Sequence, residues 1–142
     1  DGNHEIKDIP ILINKMKDGY DIIQINRFGK TSKSEDPGLF TGFGNRMFTF
    51  LVNVFFGGHF GDCLDGFKII KRSIIFELKL DANRENYEQQ LCIRAVKHGK
   101  KVFEIDGNEP KRIGGERKMS PLYTGYQLSK QILQEFIFWK FD

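Results

Sequence analysis

The stretch Asp21–Arg27, DIIQINR, decides how this chain is built. Isoleucine stands at 22, 23 and 25, in a run too short for a helix, so the segment reads as a strand covered on both faces. Arg27 closes it. The fifteen residues that follow, FGKTSKSEDPGLFTG (28–42), gather Gly, Ser, Thr, Asp and Pro with no apolar period, the composition of a long loop. Ligands of α/β sheets collect beyond the carboxyl ends of the strands. Arg27 and its loop therefore mark where a site is to be expected.

Outward from this strand, helices and strands alternate. Upstream, Pro10 suits a first helical turn and Gly19 an end, and the run carries apolar residues at Ile11, Leu12, Met16 and Tyr20, which predicts a helix over 9–18. Downstream, NRMFTFLVNVFFGG (45–58) predicts a helix whose polar residues Asn45, Arg46, Thr49 and Asn53 form one narrow stripe, so it is expected to be buried on most sides, against the core, a partner or a lipid surface. A turn, a strand near 67–71 and a short helix come next. NYEQQLCIRAVKHG (86–99) places Tyr87, Leu91, Cys92, Ala95 and Val96 on one helical face and ends on Gly99, where a left-handed cap is wanted. KKVFEID (100–106) is another strand. SPLYTGYQLSKQILQEFIFWKFD (120–142) offers Ser120 as N-cap and Pro121 as first helical residue, then runs helically to the end. The pattern predicts one α/β domain over 1–142 with mostly parallel strands.

Composition narrows the function classes. The chain has 142 residues, 39% of them hydrophobic, enough for one domain with its own core. A net charge of +3 is too mild to announce a nucleic-acid binder, and no nucleic acid is expected as a partner. The positive charge is local: from Arg94 to Lys118 there are eight Lys/Arg against four acids. Cys63 and Cys92 show neither a disulfide framework nor zinc spacing, which favours a reducing, cytoplasmic setting. The most apolar run, Met47–Phe56, is about half the ~20 residues needed to cross a bilayer. EFIFWKF (135–141) holds four aromatics beside a lysine. That pattern suits contact with the cytoplasmic face of a membrane, or packing on the domain or on a second copy as a homodimer, and packing is the preferred reading.

Three segments carry a resemblance: DGNHEIKDIP (1–10), DCLDGFKIIKR (62–72) and EPKRIGGERKM (109–119). Together they resemble the second half of family-2 glycosyltransferases, inverting enzymes of GT-A fold that include the dolichyl- and polyprenyl-phosphate sugar synthases. That family has an Asp-x-Asp strand end followed by Gln, His, an acid and a helix near Ile-Pro, and Asp1 matches the second aspartate with Asn3 in the place of Gln. It continues with a strand ending in Arg (Arg27), a helix bearing Arg (Arg46), and an Asp-x-x-x-Gly-Phe-Arg/Lys turn (Asp62, Gly66, Phe67, Lys68). A helix starting with Glu (Glu88) and a Pro-x-Arg-Ile-x-Gly segment complete it. The likeness spans nearly all 142 residues, with motifs in the family's order. The family's first strands, which bind base and ribose, and the first metal aspartate precede this point, so the chain is expected to be the acceptor-side half of a Rossmann-like GT-A domain. Glu116-Arg117-Lys118 departs from the family's usual Glu-Ser-Lys.

The resemblance implies inverting, metal-dependent transfer from a nucleotide-diphosphate sugar to a lipid-phosphate (polyprenyl-phosphate) or saccharide acceptor. Asp1 and Asn3 would supply oxygen ligands to Mg²⁺ or Mn²⁺, although read from the residues alone they are a frayed terminus. Asp62 is the candidate base, with Asp65 as its near competitor and otherwise a substrate-binding candidate, although an Asp before Gly commonly serves only its own turn. Glu88 is placed either to reach the site or to favour its helix start. Arg27, Arg46, Arg112 and Lys118 are the candidates for phosphate oxygens. His4 is expected near the metal, and His98 is structural. A non-catalytic fragment or interaction domain, or an anion or nucleic-acid binder using the basic loop, are the rival readings.

Overall fold

A computed structural model of the chain describes residues 2–35, 38–115 and 119–137. Their elements run α1 (Asp8–Met16), β1 (Ile22–Asn26), α2 (Leu39–Phe56), β2 (Lys68–Ile70), α3 (Arg72–Glu77), α4 (Tyr87–Lys97), β3 (Val102–Asp106) and α5 (Pro121–Ile137). β1 is the centre of a three-stranded mixed sheet in the order β2-β1-β3. It pairs in parallel with β3, from Ile22 opposite Val102 to Asn26 opposite Asp106, and antiparallel with β2, from Ile22 opposite Ile70 to Gln24 opposite Lys68.

The isoleucine-rich strand is covered on both faces, as its composition demands. Ile23 and Ile25 pack with Leu12 of α1, while Ile22 packs with Ile74, Leu78, Leu91 and Ala95 of the α3–α4 side. All three isoleucines are essentially inaccessible, and burying each one stabilises the fold by roughly 1.5–3 kcal/mol. A further cluster joins Phe48 and Val52 of α2 to Cys92 and Ile93 of α4 and Leu128 and Ile132 of α5. Helix α4 is thus the plate between the sheet and the α2–α5 pair. Gly99, just past α4, has φ +61° and fills the left-handed cap position. Ser120 accepts the first backbone bond of α5 from Thr124. Both free cysteines lie in the interior, with Cys92 Sγ donating to the Cys63 carbonyl.

Three expectations need correction. The sheet is not mostly parallel. After α2 the chain returns through 57–67 along the carboxyl end of β1, where Asp62 lies beside Arg27 and the Phe67 carbonyl accepts from Ile25 N–H. It therefore enters β2 from the end at which β1 stops, and antiparallel pairing is the only outcome. Gly61 permits this close passage, since a Cβ there would sit 2.1 Å from Asn26 Nδ2. Second, α2 begins at Leu39 rather than 45, because the period Phe40, Phe43, Met47 already runs through the two glycines. Third, of the covers expected for α2 the core is not the one for most of its surface: Phe40, Phe43, Phe50 and Val54 are 60–80% exposed. Only its flank toward α4 and α5 is taken. No helix among the described residues is long and apolar enough to cross a membrane.

Candidate functional site

Where β1 ends, a cavity of about 640 Å³ opens between the sheet edge and the N-terminal halves of α2 and α5. Its two walls differ in chemistry. One carries Asn3, His4, Arg27, Asp65, Glu88, Glu109 and Arg112, and the other carries Phe40, Phe43, Met47, Phe48, Leu122 and Leu128.

The polar wall is organised around Arg27. Its Nε and Nη2 donate to the two carboxylate oxygens of Asp62 at 2.6 and 3.1 Å, a bidentate pair, and Nη1 donates to Glu109 Oε1 at 3.2 Å. Asp65 Oδ2 lies 3.8 Å from Nε. One guanidinium thus faces three buried carboxylates. Burial works against the Arg27 charge, but the bonds and charge of Asp62, helped by Asp65 and Glu109, outweigh it and raise its pKa. Asp62 is fully buried behind Arg27 and also accepts from the Leu64 N–H at 3.2 Å.

Asp65 is placed differently. One oxygen accepts from Phe67 N–H at 2.9 Å, the local turn that an Asp before Gly commonly makes, and the same oxygen is 3.5 Å from His4 Nε2. His4 is held by stacking on Phe67, with ring centroids 4.7 Å apart. The other oxygen, Oδ2, is buried without a hydrogen bond among the described residues. Burial pushes the Asp65 carboxyl above the ordinary carboxylate range, and the Arg27 charge pulls it only part of the way back. Directly beneath Asp62, Glu104 of β3 accepts from Gln24 Nε2 and from the Gly61 and Asp62 N–H groups, and burial raises its pKa as well.

Of the residues singled out in the sequence, the fold brings Asn3, Arg27, Asp65, Glu88 and Arg112 to one cavity. Glu88 stands in the first turn of α4, across from Gly66, and faces the cavity. Asp62 touches Arg27 rather than the cavity. Arg46 is exposed on α2 with its guanidinium 4.9 Å from the Phe28 ring, outside the lining. Asp1 and Lys118 lie outside the described residues. His98 follows the last turn of α4, the structural position expected of it.

Glu109 is the residue that sequence reasoning passed over. It accepts from Ser34 Oγ at 2.6 Å and from Asn3 Nδ2 at 3.5 Å, and its backbone pairs with the loop after β1 through Lys33 and Glu35. A single acid ahead of Pro110 within a basic segment was the available signal. It pins three segments to Arg27 at once.

Chemically, the site combines a buried carboxylate with a free oxygen, an arginine at the rim and an apolar wall. Among the described residues no three His, Cys, Asp or Glu side chains are grouped to hold a metal ion. Compared with protein-family models and with curated proteins, the sequence matches none.

Proposed function

We propose that the chain is the acceptor-side part of a family-2 glycosyltransferase domain of GT-A type, and that the cavity receives the acceptor. The reaction would be a single inverting displacement: an acceptor oxygen bonds to the anomeric carbon of a nucleotide-diphosphate sugar as the bond to the diphosphate oxygen breaks. One observation carries the reading. Residues from the chain start, the β1 end, the Asp62–Lys68 turn, the α4 start and the basic loop, each of which resembles a segment of that family, line a single cavity.

The two walls fit a lipid-phosphate acceptor. Phe40, Phe43, Met47 and Leu122 offer surface to an apolar chain, and Arg112 offers a planar fork to phosphate oxygens. A phosphate acceptor needs no base. A saccharide hydroxyl does, and Asp65, with its unbonded oxygen and raised pKa, is better placed for that proton than Asp62, both of whose oxygens are engaged by Arg27. Asp62 then serves to position Arg27.

The carboxylate excess of the polar wall disfavours a bare anion or nucleic acid and suits a bound cation. Mg²⁺ uses one or two carboxylates plus substrate phosphates rather than a full protein cage, so the lack of a three-ligand group among the described residues is compatible with it. Asp1 and Asn3 would hold the ion, which when bound spreads the charge of the departing diphosphate. Work at the cytoplasmic face of a membrane follows from a lipid acceptor.

The test is calorimetric titration of the chain with farnesyl phosphate and with nucleoside diphosphates, with and without Mn²⁺. The expected result is farnesyl phosphate binding that Arg112→Ala weakens, and nucleoside diphosphate binding that requires Mn²⁺. Absence of both overturns the reading. A second reading, a non-catalytic domain that keeps the fold, is favoured by one observation: Arg27 is already matched by carboxylates and has little left for a phosphate. Binding of farnesyl phosphate with no Mn²⁺-dependent nucleotide binding selects it.

A further inference from the structure

Helix α2 exposes Phe40, Phe43, Met47, Phe50 and Val54. Their spacing of three, four, three and four residues is that of a helix-packing seam, and all five fall on one side. Helix α5 exposes Leu122, Tyr126, Leu133 and Phe136 on one side with the same repeat, Ser129 taking the remaining position. The helices lie side by side and run the same way. Leu122 shares the cavity with Phe40 and Phe43 at one end, and Phe136 packs edge-on against Phe55 and Phe56 at the other. Two parallel apolar seams thus form one continuous face, and no described element covers it.

We propose that this face is occupied by a second copy of the chain, paired about a two-fold axis so that α2 and α5 of each copy build a four-helix layer. Area supports it. At roughly 100–150 Å² of exposed side chain apiece, the nine residues offer on the order of 1,200 Å², against the ~800 Å² per partner of a standard stable interface. Charge points the same way. Helices that rest on a bilayer carry lysine and arginine along the opposite, polar face. Here the opposite faces of both helices are the protein core, and the only exposed charges on the two are Arg46 and Lys130. A face this poor in charge fits an equally uncharged partner, and its own copy is one. The copy would also roof the apolar wall of the cavity, because Phe40, Phe43, Met47 and Leu122 belong to both surfaces.

Sedimentation equilibrium of the full chain over a concentration series tests it. A dimer is expected. Phe50→Glu combined with Leu133→Glu, both off the cavity lining, should raise the dissociation constant about 100-fold or more with the far-UV circular dichroism unchanged. Ile6→Glu, more exposed still but off the face, should leave the dimer intact. Should the double variant fail to fold, hydrogen exchange on the wild-type chain replaces it, with slowed exchange in α2 and α5 on concentration as the expected result. A monomer at every concentration overturns the proposal, as does a dimer indifferent to the double variant or exchange that slows elsewhere. So does a monomer that pellets with phosphatidylcholine–phosphatidylglycerol vesicles through the same residues, which would make a lipid surface the occupant.

Discussion

Two buried arginines organise two polar networks in this molecule, and they are built to different ends. Arg94 lies between α4 and α5, donating to Glu135 at 2.8 Å, Asp81 at 2.9 Å and the Leu78 carbonyl at 3.1 Å. Gln90 and Gln131 add donors to Glu135 at 3.0 Å, and Lys97 joins it as a second cation. Two cations meet two acids, both oxygens of the buried Glu135 accept hydrogen bonds, and Asp81 is open to solvent. Arg27 faces three carboxylates, and one oxygen of Asp65 has no hydrogen bond among the described residues. A network that closes its charge and its hydrogen bonds is complete as structure. One that leaves acid in excess next to open space holds energy that a ligand or cation can release.

The largest test of this contrast removes each arginine. Arg27→Ala strands Asp62, Asp65 and Glu109, Arg94→Ala strands Glu135, and each should lower unfolding free energy by about 3–5 kcal/mol, read from urea denaturation. A cost under about 1 kcal/mol for Arg27→Ala would show that its carboxylates do not depend on it, and the contrast would break. Next, Glu135→Gln, which unbalances the closed network, should cost about 2–3 kcal/mol at neutral pH.

Arg112→Ala, at the cavity rim, should weaken farnesyl phosphate binding about tenfold by calorimetry while leaving the melting temperature within a degree or two. If melting drops instead, Arg112 belongs to the framework.

The smallest effect has the opposite sign. Folded Asp65 keeps its proton to higher pH than the unfolded chain does, so the folded state binds more protons just above the ordinary carboxylate range. Its contribution is full at low pH and is lost as pH rises through that window. Asp65→Asn should therefore match the wild type in acid and be more stable by about 1 kcal/mol at neutral pH, the scale of one unpaired buried polar atom. A destabilised Asp65→Asn at neutral pH would place Asp65 with the closed kind of network.

Much of the framework could be read locally. DIIQINR announced the central strand, and Pro121, Gly99 and Gly19 announced helix ends, because backbone preference and apolar period act within a few residues. Part of the site was legible too: Asn3, Arg27, Asp65, Glu88 and Arg112 were chosen from separate motifs and line one cavity. Asp62 and Arg27 were both named, but not as each other's partner, since 35 residues separate them. What covers the apolar face of α2 was not legible, because an all-apolar helix pattern says only that it wants a cover, and not that the chain's own core supplies it.

By itself, then, the sequence determined the elements, the α/β class and the residue types that the β1 end would gather, since those depend on neighbours along the chain. The tertiary structure decided three further matters: the antiparallel entry of β2, the enclosure of Arg27 by Asp62, Asp65 and Glu109, and the unpartnered seams of α2 and α5. Each depends on which distant surfaces meet. Burial, charge balance and exposure are properties of that meeting, and no local window of residues contains them.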